Sequence, residues 1–170
     1  IGGNTWECIS GWGHSPEHMA LYSPNANVLI SGDMVLPKIS TNVSVYAQEP
    51  EANALALFMR SLKKFDVLPS DTLVLPSHGR PFKGLHTRTA QLLQHHEERM
   101  QEVLDACRET PGSAHDMLKV IFKRPLDFHQ TTFAIGESVA HLHALWYEGK
   151  MKRFKDKEGI WRFQTLTQGI

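Results

Sequence analysis

Short β-type runs in the first half of this chain break off into tight glycine-bearing loops, and each such loop carries a side chain able to bind a metal ion. Glu7 to Ser10 leads into Gly11-Trp12-Gly13-His14. Asn27 to Ser31 leads into Gly32-Asp33, and Thr72 to Leu75 leads into Pro76-Ser77-His78-Gly79. A ligand on a tight loop needs backbone that can turn sharply and approach an ion closely, which glycine permits. Imidazole and carboxylate together suit zinc, manganese or iron. Any one histidine beside a glycine is ordinarily a surface or capped side chain. The ordered set His14, Asp33, His78 is the informative feature.

The rest of the order constrains the architecture. Met19 to Tyr22 and Asn27 to Ser31 read as paired strands around a Ser23-Pro24-Asn25 turn. Ile39 to Tyr46 has no helical period. Pro50 suits the first turn of a helix, and Leu55, Phe58, Met59, Leu62 and Phe65 follow at helical spacing, predicting an amphipathic helix over 51–65. Strand, loop, helix, strand, loop is an α/β layer with its functional loops at strand ends. Later the period is helical over 87–108, Ser113 caps a short helix over 114–122, and a third helix runs over 132–148 to Gly149. Two strands close the chain, Lys150 to Phe154 and Ile160 to Gln164. Helix, helix, helix, hairpin is the element order of a winged helix.

The chain has 170 residues, 41% of them apolar, enough for at least one core. The formal net charge is zero, which excludes a strongly basic nucleic-acid module or an acidic tail for the chain as a whole. No apolar run can span a bilayer. Cys8 and Cys107 make neither a disulfide framework nor a Cys-x-x-Cys zinc signal and read as packing residues, with a cytoplasmic setting as the default. The chain starts at Ile1 with no basic n-region, which reads as a piece of a longer protein rather than a signal peptide. The net charge is +3 over 108–170. It supports two domains, 1–86 and 87–170.

Gly13-His14-Ser15-Pro16-Glu17-His18, Leu29-Ile30-Ser31-Gly32-Asp33 and Leu75-Pro76-Ser77-His78-Gly79-Arg80 together resemble the metallo-β-lactamase-fold hydrolases, closest to the glyoxalase II-like, lactamase-beta-like branch. The resemblance implies the C-terminal half of an αβ/βα sandwich. From about His95 it implies a mostly helical, winged-helix-like C-terminal domain. His14 would ligate one metal, Asp33 would bridge two and His78 would complete the second, with His18 as a second-shell or structural group. No catalytic residue beyond the metal ligands is implied. Two zinc ions would lower the pKa of a shared water, whose hydroxide attacks an ester, thioester or phosphodiester. A small-molecule ester or thioester, or RNA, would be the partner, with no membrane.

The family's His-x-His-x-Asp-His string is absent here, so four of the seven ligands implied by the resemblance are missing. The expectation is therefore an inactive fragment that binds zinc weakly or not at all, and that self-associates through a sheet face lacking its cover. His96 lies on a buried stripe. His95 is adjacent to it, so the two point about 100° apart on a helix and do not face one ion together, and His86, His115, His129, His141 and His143 read as structural or surface groups. A second reading is a non-enzymatic winged-helix-type module for nucleic acid or protein, built on Lys150, Lys152, Arg153, Lys155, Lys157 and Arg162 around Phe154 and Trp161.

Overall fold

The computed structural model describes residues 2–167. The chain forms two compact units. One comprises the chain up to Asn42 together with Ala56–Gln94, and the other comprises Val43–Leu55 and the chain from His95 onward. The strip 43–55 thus joins the second unit, which no single cut in the sequence would produce.

The first unit is built on a four-stranded sheet, β1 (Glu7–Gly11), β2 (His18–Ser23), β3 (Val28–Gly32) and β4 (Leu73–Pro76), in that spatial order. β1–β2 and β2–β3 are antiparallel, and β3–β4 is parallel. A parallel pair needs a crossover. It is supplied by α1 (Ala54–Leu62) and a following 3-10 turn, Lys63–Val67. Leu29 and Val74 are register partners and fully buried, as are Phe58 and Leu62 of α1. Burial of each such side chain contributes roughly 1.5–3 kcal/mol.

The helix predicted over 51–65 is shorter than expected. Pro50 lies in a run of turns, with Glu49 N–H on the Tyr46 carbonyl and Ala52 N–H on the Glu49 carbonyl, and regular helix begins at Ala54. The last residues tighten into the 3-10 turn, which still buries Phe65.

The second unit holds most of α2 (Leu85–Ala106), then α3 (Ala114–Ile121), α4 (Phe128–Tyr147) and the hairpin β5 (Met151–Lys155)–β6 (Trp161–Thr165). Ser113 caps α3 as expected: its side chain accepts the Asp116 N–H while Asp116 accepts the Ser113 N–H. α4 starts four residues earlier than its periodicity suggested. Asp127 and Gln130 form a second capping box there, which rescues a first turn rich in polar residues. Gly149 stops it with φ +70°. The Gly149 N–H bonds to the Trp146 carbonyl and the Lys150 N–H to the Leu145 carbonyl, a Schellman closure. Reciprocal backbone bonds between Gly112 and Phe163 tie the hairpin to the α2–α3 loop.

Candidate metal centre

Strand register explains why three distant loops meet. Gly11 at the end of β1 pairs with His18 at the start of β2, and Gly32 at the end of β3 pairs with Pro76 at the end of β4. The β1–β2 loop with His14, Asp33 just after β3, and His78 just after β4 therefore emerge at one end of the sheet. The parallel β3–β4 pair does most of this, because it puts two strand C-termini side by side. The Ser77 N–H closes the join on the Gly32 carbonyl at 3.1 Å.

The three side chains converge on the carboxylate. His14 Nε2 is 3.5 Å from Asp33 Oδ2, and His78 Nε2 is 3.5 Å from Asp33 Oδ1. Each imidazole faces a different oxygen. His14 Nδ1 lies 2.8 Å from the Asn42 carbonyl, and an N–H donated there leaves the Nε2 lone pair aimed at a carboxylate. Two acceptors facing one another call for a proton or a cation between them. Zn–N and Zn–O bonds of about 2.0–2.2 Å put two donors on a tetrahedral ion roughly 3.4 Å apart, close to the observed separations. Asp33 Oδ1 is buried and has no hydrogen-bond donor. The residues present thus fit a metal ion on both sides of Asp33. Among the described residues no three His, Cys, Asp or Glu side chains form a group that could hold an ion by themselves.

The surroundings hold these groups in place. His18 Nε2 accepts the Asp33 backbone N–H at 3.3 Å, which ties β2 to the ligand loop. Burial, and then the neighbouring His14, push the His18 pKa below its ordinary value, with Asp33 opposing. Neutral His18 suits its acceptor role. Thr41 Oγ1 donates to the Asp33 carbonyl. The Trp12 N–H bonds to Ser61 Oγ at 2.9 Å, and Lys64 Nζ sits 4.3 Å over the Trp12 ring and 2.8 Å from the Ser10 carbonyl, so the His14 loop is braced on α1 and its 3-10 extension. Asn42 and Thr41 carried no signal in the sequence. Asn42 acts through its main-chain oxygen, which any residue would supply.

The remaining histidines are elsewhere. His96 and His141 are fully buried against one another, Nδ1 to Nε2 at 3.3 Å. His143 is buried with Nδ1 on the Ala52 carbonyl at 3.0 Å. His86 Nε2 bonds to the Leu68 carbonyl, and His115 and His129 are exposed. Cys107 packs against Met117, whereas Cys8 is exposed on β1, contrary to the packing role expected of it.

Half of the basic hairpin is neutralised internally. Arg153 is stacked between Trp146 and Trp161 and paired with Glu51 at 2.8 Å. Arg162 is held by Asp116 and Asp156, and Lys150 by Glu148. Asp156 also caps the β5–β6 turn through the Glu158 and Ile160 N–H groups. These acids dilute the surface that the nucleic-acid reading requires.

Comparison with known proteins bears on the fold. Residues 100–166 match the family described as metallo-beta-lactamase-like, C-terminal domain. A crystal structure of a beta-lactamase domain protein from Burkholderia ambifaria superposes with a TM-score of 0.95 at 53% identity, over 98% of this chain and 49% of that one. A metallo-beta-lactamase family protein from Thermus thermophilus gives a TM-score of 0.84 at 28% identity, over 98% of this chain and 51% of that one. A probable metallo-hydrolase, YqjP, from Bacillus subtilis (strain 168) is 24% identical over 162 residues, 88% of this chain and 50% of its own length. The chain has the α/β fold of the metallo-β-lactamase-like proteins, and its residues 100–166 are similar to their C-terminal domain. It spans about half the length of these relatives. Among the described residues no helix is long and apolar enough to cross a membrane.

Proposed function

We propose that His14, Asp33 and His78 form one side of a dinuclear zinc centre in a metal-dependent hydrolase of ester, thioester or phosphodiester bonds. The observation that carries this is the placement of two imidazole Nε2 atoms, each 3.5 Å from a different oxygen of Asp33. Bound zinc would supply Lewis-acid activation of water and of a carbonyl or phosphoryl oxygen. The chain's own groups prepare for it. The Asn42 carbonyl holds the His14 tautomer, as an outer-shell acceptor does for a ligating histidine. His18 and Thr41 hold the Asp33 main chain so that its carboxylate can face both imidazoles.

In this arrangement each ion would draw one imidazole and one carboxylate oxygen from this chain. Catalytic zinc sites ordinarily have three protein ligands. Weak zinc binding and no hydrolytic turnover are therefore expected of these residues alone. Thioesters and RNA remain the two substrate classes suggested by the glyoxalase II-like resemblance, and the fold does not choose between them. Equilibrium dialysis against zinc tests the reading. Weak binding that drops at least tenfold in Asp33→Asn, and less in His14→Ala or His78→Ala, supports it. Two tightly held ions, or weak binding indifferent to all three substitutions, overturns it.

A further inference from the structure

Beside His78 lies a cleft of about 420 Å³ whose walls are the strips 37–39 and 78–82. Its size falls within the roughly 300–1,000 Å³ of small-ligand sites. Pro37, Ile39, Pro81 and Phe82 give it an apolar surface, and Ile39 is 61% exposed.

Both walls are held in shape. Arg88 donates from Nε to the Leu36 carbonyl at 2.6 Å and from Nη2 to the Ile39 carbonyl at 2.9 Å, which clamps the first strip. Phe82 exchanges backbone bonds with Val74 of β4 at 2.8 and 3.0 Å, which closes the second strip into a loop. The walls touch at Gly79, where φ is +91° and a Cβ would lie 2.7 Å from Pro37 Cγ. A side chain there would force the walls apart.

The cleft also carries charge that the fold does not use. Lys38 and Arg80, one on each wall, are exposed, and among the described residues neither makes a hydrogen bond or ion pair. Neither strip contains an acidic residue. Arg88, whose contacts clamp the first wall, is by contrast held by the Leu36 and Ile39 carbonyls. Two unpaired cations flanking an apolar cleft complement a ligand with an apolar body and an anionic end. Two charges are too few for a nucleic-acid backbone, whose recognition rests on many phosphate contacts.

We infer that this cleft is the substrate subsite of the proposed hydrolase, and that it takes an acyl group with an apolar chain of several carbons ending in a carboxylate or phosphate, paired with Lys38 and Arg80. His78 belongs to the cleft and to the candidate metal centre, so a group bound here lies next to the reacting end. The inference rests on that functional reading, but its test does not require metal.

The test is an amide NMR titration of the zinc-free chain with octanoate, octyl phosphate, 1-octanol and acetate. Octanoate or octyl phosphate is expected to shift the amides of residues 38, 39, 79, 80 and 82, with at least tenfold tighter binding than octanol or acetate. Whichever of the two binds tighter identifies the anionic group. Lys38→Ala and Arg80→Ala should each weaken binding several-fold, and the double variant should bind octanoate no better than octanol. Both positions are exposed, and an unchanged amide spectrum elsewhere verifies the fold. Octanol binding as tightly as octanoate, shifts confined to other residues, or a double variant with undiminished preference would overturn the inference. Zinc binding that ignores Asp33→Asn sinks the metal reading while leaving the cleft standing. Intact zinc binding with no octanoate response sinks the cleft alone.

Discussion

His18 reaches Asp33 through the backbone: its Nε2 accepts the Asp33 N–H at 3.3 Å, over the face of Gly32 where any side chain would collide with the ring. Residue 32 has φ +55° as well. Gly32→Ala therefore meets a left-handed penalty of about 1–2 kcal/mol and displaces His18. Urea unfolding should show a loss of at least about 1 kcal/mol, and zinc affinity should fall about tenfold or more. An unchanged urea midpoint with unchanged zinc affinity would refute the positioning role given to His18.

The buried pair in the second unit sets an acid limit. Burial, with its histidine neighbours adding, takes the His96 pKa down to about 3, and burial takes that of His141 down to about 4. His95 and Arg99 act in the same direction on His141, against its bond to the Glu137 carbonyl. Both rings are neutral when folded and take a proton near the ordinary value of about 6.5 when unfolded. Stability from this pair is complete above about pH 6.5 and is lost as the pH falls toward 4 and then 3. Each ring contributes up to about 1.4 kcal/mol per pH unit within that window. Urea midpoints between pH 7 and 4.5 should decline, with the ring resonances of both residues still neutral at pH 5.5. Rings that titrate near 6.5 in the folded chain would contradict this.

Removing the α3 cap has a defined cost. Ser113→Ala deletes the acceptor for the Asp116 N–H and a partner 2.7 Å from the Asp116 carboxylate. Thermal or urea unfolding should register a loss of about 0.5–2 kcal/mol. Ser113→Asp, which keeps an acceptor, should lose less despite facing Asp116. Unchanged stability in Ser113→Ala would show that the cap contributes nothing.

Gly136 tests packing against propensity. In the middle of α4 it costs about 1 kcal/mol of helix propensity relative to alanine. A Cβ there would lie 2.7 Å from Ser44 Cβ and 2.8 Å from its Oγ, and the Val45 N–H bonds to the Gly136 carbonyl at 3.1 Å. Overpacking of this kind costs about 1–3 kcal/mol. Gly136→Ala should be destabilising or neutral on urea unfolding, and a clear gain in stability would show that the strip 43–45 can move away.

His14, Asp33 and His78 stand out as candidates in the sequence because chemistry, glycine and strand end coincide there. Their convergence is not legible there, since it depends on the parallel pairing of β3 with β4 across about forty residues of crossover. Pro50 misled because a residue compatible with a helix start is equally compatible with the turns it occupies. Asp127-x-x-Gln130 is a capping box in the sequence, outweighed there by the stronger apolar period that begins later. Pairing of His96 with His141, and the second unit's claim on residues 43–55, are long-range packing outcomes with no local signature.

Zinc soaked into crystals of this chain and located by anomalous scattering tests the central claim most directly. Zinc is expected beside Asp33, liganded by His14, His78 or both, and lost in Asp33→Asn. Zinc found at His95, His115 or His129 while the Asp33 carboxylate stays bare would contradict it.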